Sequence, residues 1–365
     1  MKSTDTQTVE VKLAEPSYPV YIGAGLLGTQ HPAIRVHEGS TALVVSNETV
    51  APLYLEALKE SLADADIHTL VLPDGEQFKT LEHWSQIIDK LVAVRATRDA
   101  TVITLGGGVV GDMGGFAAAS YMRGIRFIQI PTSLLAQVDA SVGGKTGFNH
   151  PQGKNLVGAF HQPAAVLIDI ETLETLPERE FSAGLAEVVK IAAVRDGEFL
   201  QWLEDNSTAI IDRDPDALTN MIRQSVANKA TVVAEDEREA GVRALLNFGH
   251  SFAHALETLT GYKTYLHGEA VAIGMMVASR LSEQRGLCSA GISARLGRLM
   301  HSFGLPLKLP DNAQPEGILE LMKLDKKVIA GSYRLILLKG PGHGIIDSSS
   351  SNEQISTALA AGHEQ

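Results

Sequence analysis

Along the first 170 residues the hydrophobic positions alternate between two periods. TALVVSN (residues 41–47) is an unbroken apolar run of strand length, whereas VAPLYLEALKESLADA (50–65) repeats its apolar residues at the three- and four-residue steps of an amphipathic helix. The alternation continues through IHTLVLPDG as strand, TLEHWSQIIDKLVAVRA as helix, ATVITLGGG as strand and GDMGGFAAAS as a small-residue helix, and RFIQIPTS and AAVLIDI read as further strands. Repeated strand, helix, strand units predict a parallel sheet with helices on both faces, a Rossmann-like α/β domain over residues 1–171. Ligands of such sheets bind at the carboxyl ends of strands. That rule directs attention to PDGEQFK after one strand and GGGVVGD after another.

After Thr172 the period turns helical. Phe181 to Ala193, Ala217 to Glu235, Leu245 to Leu259 and Ala270 to Glu283 carry it with no strong strand between them, which predicts a mainly α-helical second domain over residues 172–365. KVIAGSYRLILLKG offers a short strand pair across a Gly-Ser turn, and the polar tail one short helix. From Pro131 to Pro163 the chain is rich in Gly, Lys and Asn.

His250 and His254 are four apart, so a helix from Leu245 to Leu259 stacks them on one face. Leu245, Phe248, Phe252, Leu256 and Leu259 form its packing stripe, about 200° away. A third imidazole, His267, precedes the apolar run VAIGMMVA. A lone helical histidine is more often a hydrogen-bonded core or surface residue, so the argument for a metal rests on the spaced pair and the third together. Catalytic zinc takes three protein ligands and keeps one position open, which calls for a carboxylate partner. Glu187 is the candidate: from Leu185 to Val194 only Glu187 and Lys190 interrupt an apolar helix. Such a helix is buried, and its charges must be paired or coordinated. A plain i,i+3 ion pair is the alternative.

Composition narrows the partners. At 365 residues two domains are expected, and 44% hydrophobic with 20% charged residues is globular usage. Thirty-one basic against 43 acidic residues leave a net charge of −12, which argues against a nucleic-acid or membrane partner. Any phosphate must therefore meet local basic residues. The single cysteine, Cys288, suits a reducing cytosol. No apolar leader precedes the first domain and no run nears the ~20 residues of a membrane span, so a cytoplasmic protein is expected.

Gly106, Gly108 and Gly111 satisfy GxGxxG after a strand, where backbone N–H groups approach a pyrophosphate at a helix N-terminus. The fingerprint is incomplete, because RFIQIPTS, about twenty residues on, holds no acid for ribose hydroxyls. SVGGKTG resembles a P-loop but has Asp139 where its first glycine belongs, which rejects triphosphatase chemistry. Lys145, Lys154 and Asn155 lie among glycines and suit an anionic ligand; a solvated loop explains that composition nearly as well. Lys229 lies in NKATVVAEDERE beside Val232 and Val233, which suggest one packed face.

Taken together, PDGEQFK, LGGGVVGDMGGFAAASYMRGI, QIPTSLLAQVDASVGGKTGFNHPQGKN, AGLAEVVK, LLNFGHSFAHALE, LHGEAVA and DKK, spread from Leu72 to Leu338, resemble the 3-dehydroquinate synthase family of the shikimate pathway. The resemblance implies a fold of an NAD-binding α/β half and a helical metal-binding half with the active site in the cleft between them. It implies that Glu187, His250 and His267 bind one divalent metal, Zn2+ or alternatively Co2+, and moves His254 to the substrate phosphate. Asp139, Lys145, Asn155, Lys190, Lys229, Arg243 and Asn247 would surround the substrate, joined by Lys326 or Lys327. Arg123 would reach the phosphate of the neighbouring subunit in a homodimer. NAD+ would lie against Asp74, Gly75, Glu76, Gln77, Phe78 and Lys79. Gly108, Val109, Val110, Gly111 and Asp112 would continue that site, with Thr132, Ser133, Lys145, Lys154, Thr172, Leu173, Glu174 and Thr175 completing it.

The implied reaction converts the phosphorylated sugar acid 3-deoxy-D-arabino-heptulosonate 7-phosphate to 3-dehydroquinate and phosphate by transient oxidation with NAD+, phosphate elimination, re-reduction and aldol closure. Two departures from the family pattern stand out: Phe148 in GKTGFNH, and IAAV after Lys190. Neither removes a charged group. The rivals are another sugar-phosphate cyclase, whose enzymes change residues at the positions of Arg243, Asn247, Asn155 and His254, a metal-dependent polyol dehydrogenase, and a non-catalytic NAD- or metal-binding regulator.

Overall fold

A computed structural model describes residues 6–14, 16–36, 39–62, 65–323 and 333–363. The chain divides into two compact units, one formed by Met1–Leu176 with Leu218–Arg238 and the other by Pro177–Ala217 with Glu239–Gln365. The first break falls five residues beyond the boundary expected after 171. The return of Leu218–Arg238 to the first unit was not anticipated, because helical periodicity reports a buried face and not the body that buries it.

In the first unit β1 (Gln7–Val11), β2 (Tyr18–Gly23), β3 (Thr41–Asn47), β4 (Asp66–Leu72), β5 (Thr101–Gly106), β6 (Arg126–Pro131) and β9 (Ala165–Asp169) form one sheet in the order β1-β2-β9-β6-β5-β3-β4. Every pair is parallel except β1 with β2. The connecting helices are α1 (Ala51–Ser61), α2 (Leu81–Ala93) and α3 (Gly108–Ser120). β3 and β5 are buried almost throughout, as a strand covered on both faces must be. The hairpin β1–β2 lay outside the sequence expectation: its burial alternates, so it carries no unbroken apolar run.

The glycines of GDMGGFAAAS are required by packing. A Cβ at Gly115 would lie 2.8 Å from Phe127 and one at Gly111 would lie 3.0 Å from the Gln129 amide oxygen, so α3 rides directly on the sheet. The Gly-rich stretch, for which a solvated loop was the alternative reading, contains regular elements. After one wide helical turn, Ala136–Ala140, it forms an antiparallel hairpin of β7 (Lys145–His150) and β8 (Gly153–Phe160). Gly147 and Gly158 face each other where a side chain on either would strike the opposite backbone, so the glycines that suggested a loop permit the strand pair. Phe148 is buried in this hairpin against Trp84 and Phe116, with centroids 5.7 Å from each. The family departure there is a packing choice.

The second unit contains α4 (Glu178–Arg195), α5 (Gly197–Asp205), α6 (Ser207–Ile211), α8 (His250–Leu259), α9 (His267–Gln284), α10 (Ile292–Ser302), α11 (Pro315–Lys323) and α12 (Asn352–Ala360), while α7 (Pro215–Glu235) belongs from Leu218 to the first. The helix expected from Leu245 begins only at His250. Val242–Asn247 is a tighter turn, and Gly249 at φ +81 reverses the backbone, which a glycine adopts without steric cost. Ile191–Val194, the second departure, lies wholly in the core.

The expected Gly-Ser turn falls on residues 331–332, outside the described residues. The observed strand pair is β10 (Leu335–Gly340) with β11 (His343–Asp347). Asp347 closes it, accepting from Ser350 Oγ at 2.6 Å and Ser349 Oγ at 2.7 Å and pairing with Arg285. Burial would raise the Asp347 carboxyl, but these hydrogen bonds outweigh it and hold the pKa at about 2, below the ordinary 3.8. A depressed folded-state pKa stabilises above the unfolded value and is lost as pH falls through the folded one. Asp347→Asn is therefore expected to cost about 2 kcal/mol at pH 7. Denaturant melts of the two proteins should converge as the pH drops from 4 towards 2; a gap independent of pH would contradict this linkage.

Candidate active site

α4 carries Glu187 and Lys190 into the core of the second unit, their side chains 1% and 3% exposed, with the Lys190 ammonium against Glu187 Oε2. α9 is laid directly on α4: a Cβ on Gly268 would strike the Ala183 carbonyl. At the same time Gly274 lets the backbones of α9 and Gly249 touch. These two close approaches fix His267, at the start of α9, and His250, at the start of α8, beside Glu187. Arg179 Nε and Nη2 each donate at 2.7 Å to Glu269, whose Oε2 also accepts from Leu266 N at 2.7 Å. That clamp secures the first turn of α9.

His250 Nε2 and His267 Nε2 each lie 3.8 Å from Glu187 Oε1, and a ligand atom from each of the three residues lies within 4.8 Å of the other two. Donors about 2.1 Å from a tetrahedral ion stand roughly 3.4 Å apart, so the spacing is that of a site with room for a cation. His250 Nδ1 faces the Phe248 carbonyl at 3.3 Å, an oxygen that can only accept. The proton therefore sits on Nδ1 and the lone pair on Nε2. Glu187 Oε1, the oxygen that faces both imidazoles, is buried without accepting a hydrogen bond, a costly arrangement for a carboxylate unless a cation meets it. Lys190 meets one side only. The donor set fits a divalent metal.

His254 follows one turn after His250, with ring centroids 5.6 Å apart, as the four-residue spacing requires. Among the described residues the metal-type cluster is Glu187, His250 and His267, not the pair that spacing alone suggests. Arg243 is buried, and Asn247 Nδ2 donates at 2.7 Å to Glu239 Oε1. Glu239, not singled out from sequence, holds a left-handed φ of +59. Lys326 and Lys327 lie outside the described residues.

In the first unit a second constellation gathers around Lys79. Its ammonium donates to Asp112 at 2.5 Å and to Asn155 Oδ1 at 2.7 Å, joining the turn after β4 to the first turns of α3 and to β8. Burial works to lower the Lys79 pKa, but Asp112 and Glu76 outweigh it and raise it, so the ammonium stays charged. Asn155, at φ +53, also donates its N–H to Asn149 Oδ1 at 2.9 Å, and Asn149 donates to Glu76 Oε1 at 2.8 Å. Asp74 is held by Asn47 and Thr49, both at 2.7 Å, and Gly75 at φ +124 makes the turn only glycine favours.

Thr132 N donates to the Gly106 carbonyl at 3.1 Å, and Thr172 Oγ1 accepts from Gln137 at 3.0 Å. Thr175 meets Tyr54 at 2.5 Å. Lys229, on α7, pairs with the Asp139 carboxylate and donates to the Asp139 backbone oxygen at 2.5 Å. Lys145 is exposed at the start of β7, and Arg123 is exposed at φ +67.

A family model for the 3-dehydroquinate synthase N-terminal region matches residues 69–183, and one for the C-terminal region matches residues 184–328. The chain belongs to the 3-dehydroquinate synthase family. It is 53% identical over 339 residues to the 3-dehydroquinate synthase of Nitrosococcus oceani, covering 93% of this chain and 94% of that protein. The enzyme of Pseudomonas entomophila is 51% identical over 355 residues, 97% of each.

Among solved structures, 2-epi-5-epi-valiolone synthase from Streptomyces hygroscopicus subsp. jinggangensis 5008, with NAD+ and Zn2+ bound, superposes with a TM-score of 0.88 at 32% identity, covering 96% of this chain and 98% of that one. A protein described as a probable glycerol dehydrogenase from Sinorhizobium meliloti 1021, at 17% identity and a TM-score of 0.61 over 89% and 90% of the two chains, shares the fold alone. The dehydroquinate synthase family thus supplies the reaction: this enzyme converts 3-deoxy-D-arabino-heptulosonate 7-phosphate to 3-dehydroquinate and phosphate.

Proposed function

We propose that the chain carries out this reaction with Glu187, His250 and His267 holding one divalent metal, zinc or cobalt, and with NAD+ bound along the turn after β4 and the start of α3. The observation that carries the reading is Glu187 Oε1, buried, without a hydrogen bond, and facing two imidazole nitrogens. When bound, NAD+ takes and returns the C5 hydride, and the metal supplies Lewis acidity towards the substrate hydroxyls.

The chain's own groups do the rest. N–H groups at the first turn of α3, Gly108 to Asp112, cradle the dinucleotide phosphates. Residues Asp74 to Lys79, Thr132, Ser133, Lys154 and Thr172 to Thr175 complete that site, with Lys79 holding Asp112 and Asn155 in place. Lys145, Lys190, Lys229 and Arg243 provide fixed positive charge for the substrate carboxylate and phosphate and for charge developing when phosphate leaves, and Asp139 keeps the Lys229 ammonium in position. Asn155 and Asn247 donate to substrate oxygens, and His254 donates to the phosphate. The assembly we propose is a cytoplasmic homodimer in which Arg123 reaches the phosphate of the neighbouring site; sedimentation equilibrium of the purified chain checks the dimer.

With metal and NAD+ supplied, heptulosonate phosphate should yield phosphate and dehydroquinate in equal amounts. Chelator should abolish both, and no NADH should accumulate at 340 nm. Cyclisation of sedoheptulose 7-phosphate in its place would move the chain to another cyclase activity, and net NADH release would make it a dehydrogenase.

A further inference from the structure

Glu257 is a buried carboxylate, 3% exposed, that neither the ligand set nor the substrate contacts above employ. It lies seven residues after His250 and three after His254, so α8 presents all three on one stripe. Its Oε1 lies 3.3 Å from His267 Nδ1, while the opposite ring nitrogen, Nε2, faces Glu187. We infer that Glu257 is a positioning residue for the metal site, holding the His267 ring so that its Nε2 lone pair points at the cation. Burying a carboxylate is costly unless it has a task of this kind.

His250 has its Phe248 carbonyl for the same purpose. His267 is the first residue of α9, 35% exposed in its side chain, and its ring needs an anchor from another helix. A carboxylate also accepts from Nδ1–H more strongly than a carbonyl does, which raises the basicity of Nε2. The inference rests on the proposed metal site.

The test uses the full-length chain, stripped of metal, with zinc affinity measured by chelator competition and the visible spectrum of the cobalt form as a second readout. Glu257→Gln keeps shape and an acceptor but loses charge and is expected to bind zinc about 10-fold more weakly; Glu257→Ala is expected to lose about 100-fold. Both should alter the cobalt spectrum, while the metal-free melting temperature of Glu257→Gln stays near that of the parent. If Glu257→Ala does not fold, the isosteric variant alone decides. Should His267→Ala weaken zinc binding while Glu257→Gln matches the parent in both affinity and cobalt spectrum, the positioning role is overturned and the ligand set stands. Failure of the parent to bind zinc or cobalt overturns both.

Discussion

Glu187→Gln is expected to lose the tightly held metal and at least about 10³ of the turnover, the scale of a Lewis-acid contribution of several kcal/mol. The substitution is isosteric, so it leaves the volume inside α4 unchanged while it removes the charge and turns one acceptor oxygen into a donor NH2. Glu187 Oε2 meets the Lys190 ammonium, while no hydrogen bond reaches Oε1, which faces only the site the two histidines complete. Lys190, 3% exposed, then loses the Glu187 carboxylate, and breaking a buried ion pair by removing one partner costs about 3 kcal/mol. The metal-free variant should accordingly melt lower than the metal-free parent. Metal analysis, steady-state phosphate release well below the melting temperature, and thermal melts check the three effects. A variant that holds one equivalent of zinc at parental affinity and turns over normally would remove Glu187 from the ligand set.

Lys229→Ala is expected to lower kcat/KM by about 10²- to 10³-fold, the range seen when one preorganised donor to developing negative charge is removed. The Lys229 side chain is 7% exposed and is seated between the carboxylate and the backbone oxygen of Asp139. Its position is therefore set before substrate arrives, and little reorganisation is needed. Lys229→Arg should not restore activity, because a planar fork cannot replace a compact ammonium in that seat. Zinc affinity should remain parental, since Lys229 is not one of the residues of the metal-type cluster. This separates the variant from Glu187→Gln. Activity within threefold of the parent would show that Lys229 only secures the turn at Asp139.

The strands and helices from Thr41 to Pro131, and β9, were legible because each is an unbroken apolar run or keeps a helical pattern, and the buried charges of α4 were legible because apolar residues surround them on every side. Other features were hidden for definite reasons. The hairpin in the Gly-rich segment went unread because backbone approach between Gly147 and Gly158 leaves no side-chain signature. Glu257 had a readable cue, since it extends the His250 and His254 stripe by one more turn. Its meaning depended on His267, which only helix packing brings to that stripe. Glu239 had no cue at all: a left-handed φ and a bond to Asn247 are invisible to periodicity.

Local sequence therefore determined the parallel α/β half, the helical half, the stacking of His250 on His254 and the burial of Glu187, because each follows from residue spacing and the cost of exposing apolar surface. Motif resemblance added the reaction and reassigned His254. Tertiary structure decided the return of Leu218–Arg238 to the first unit, the start of α8 at His250, and the meeting of Glu187, His250 and His267. Those outcomes turn on Gly249, Gly268 and Gly274, where the absence of a side chain lets two backbones touch, and on long-range contacts that a one-dimensional pattern does not contain.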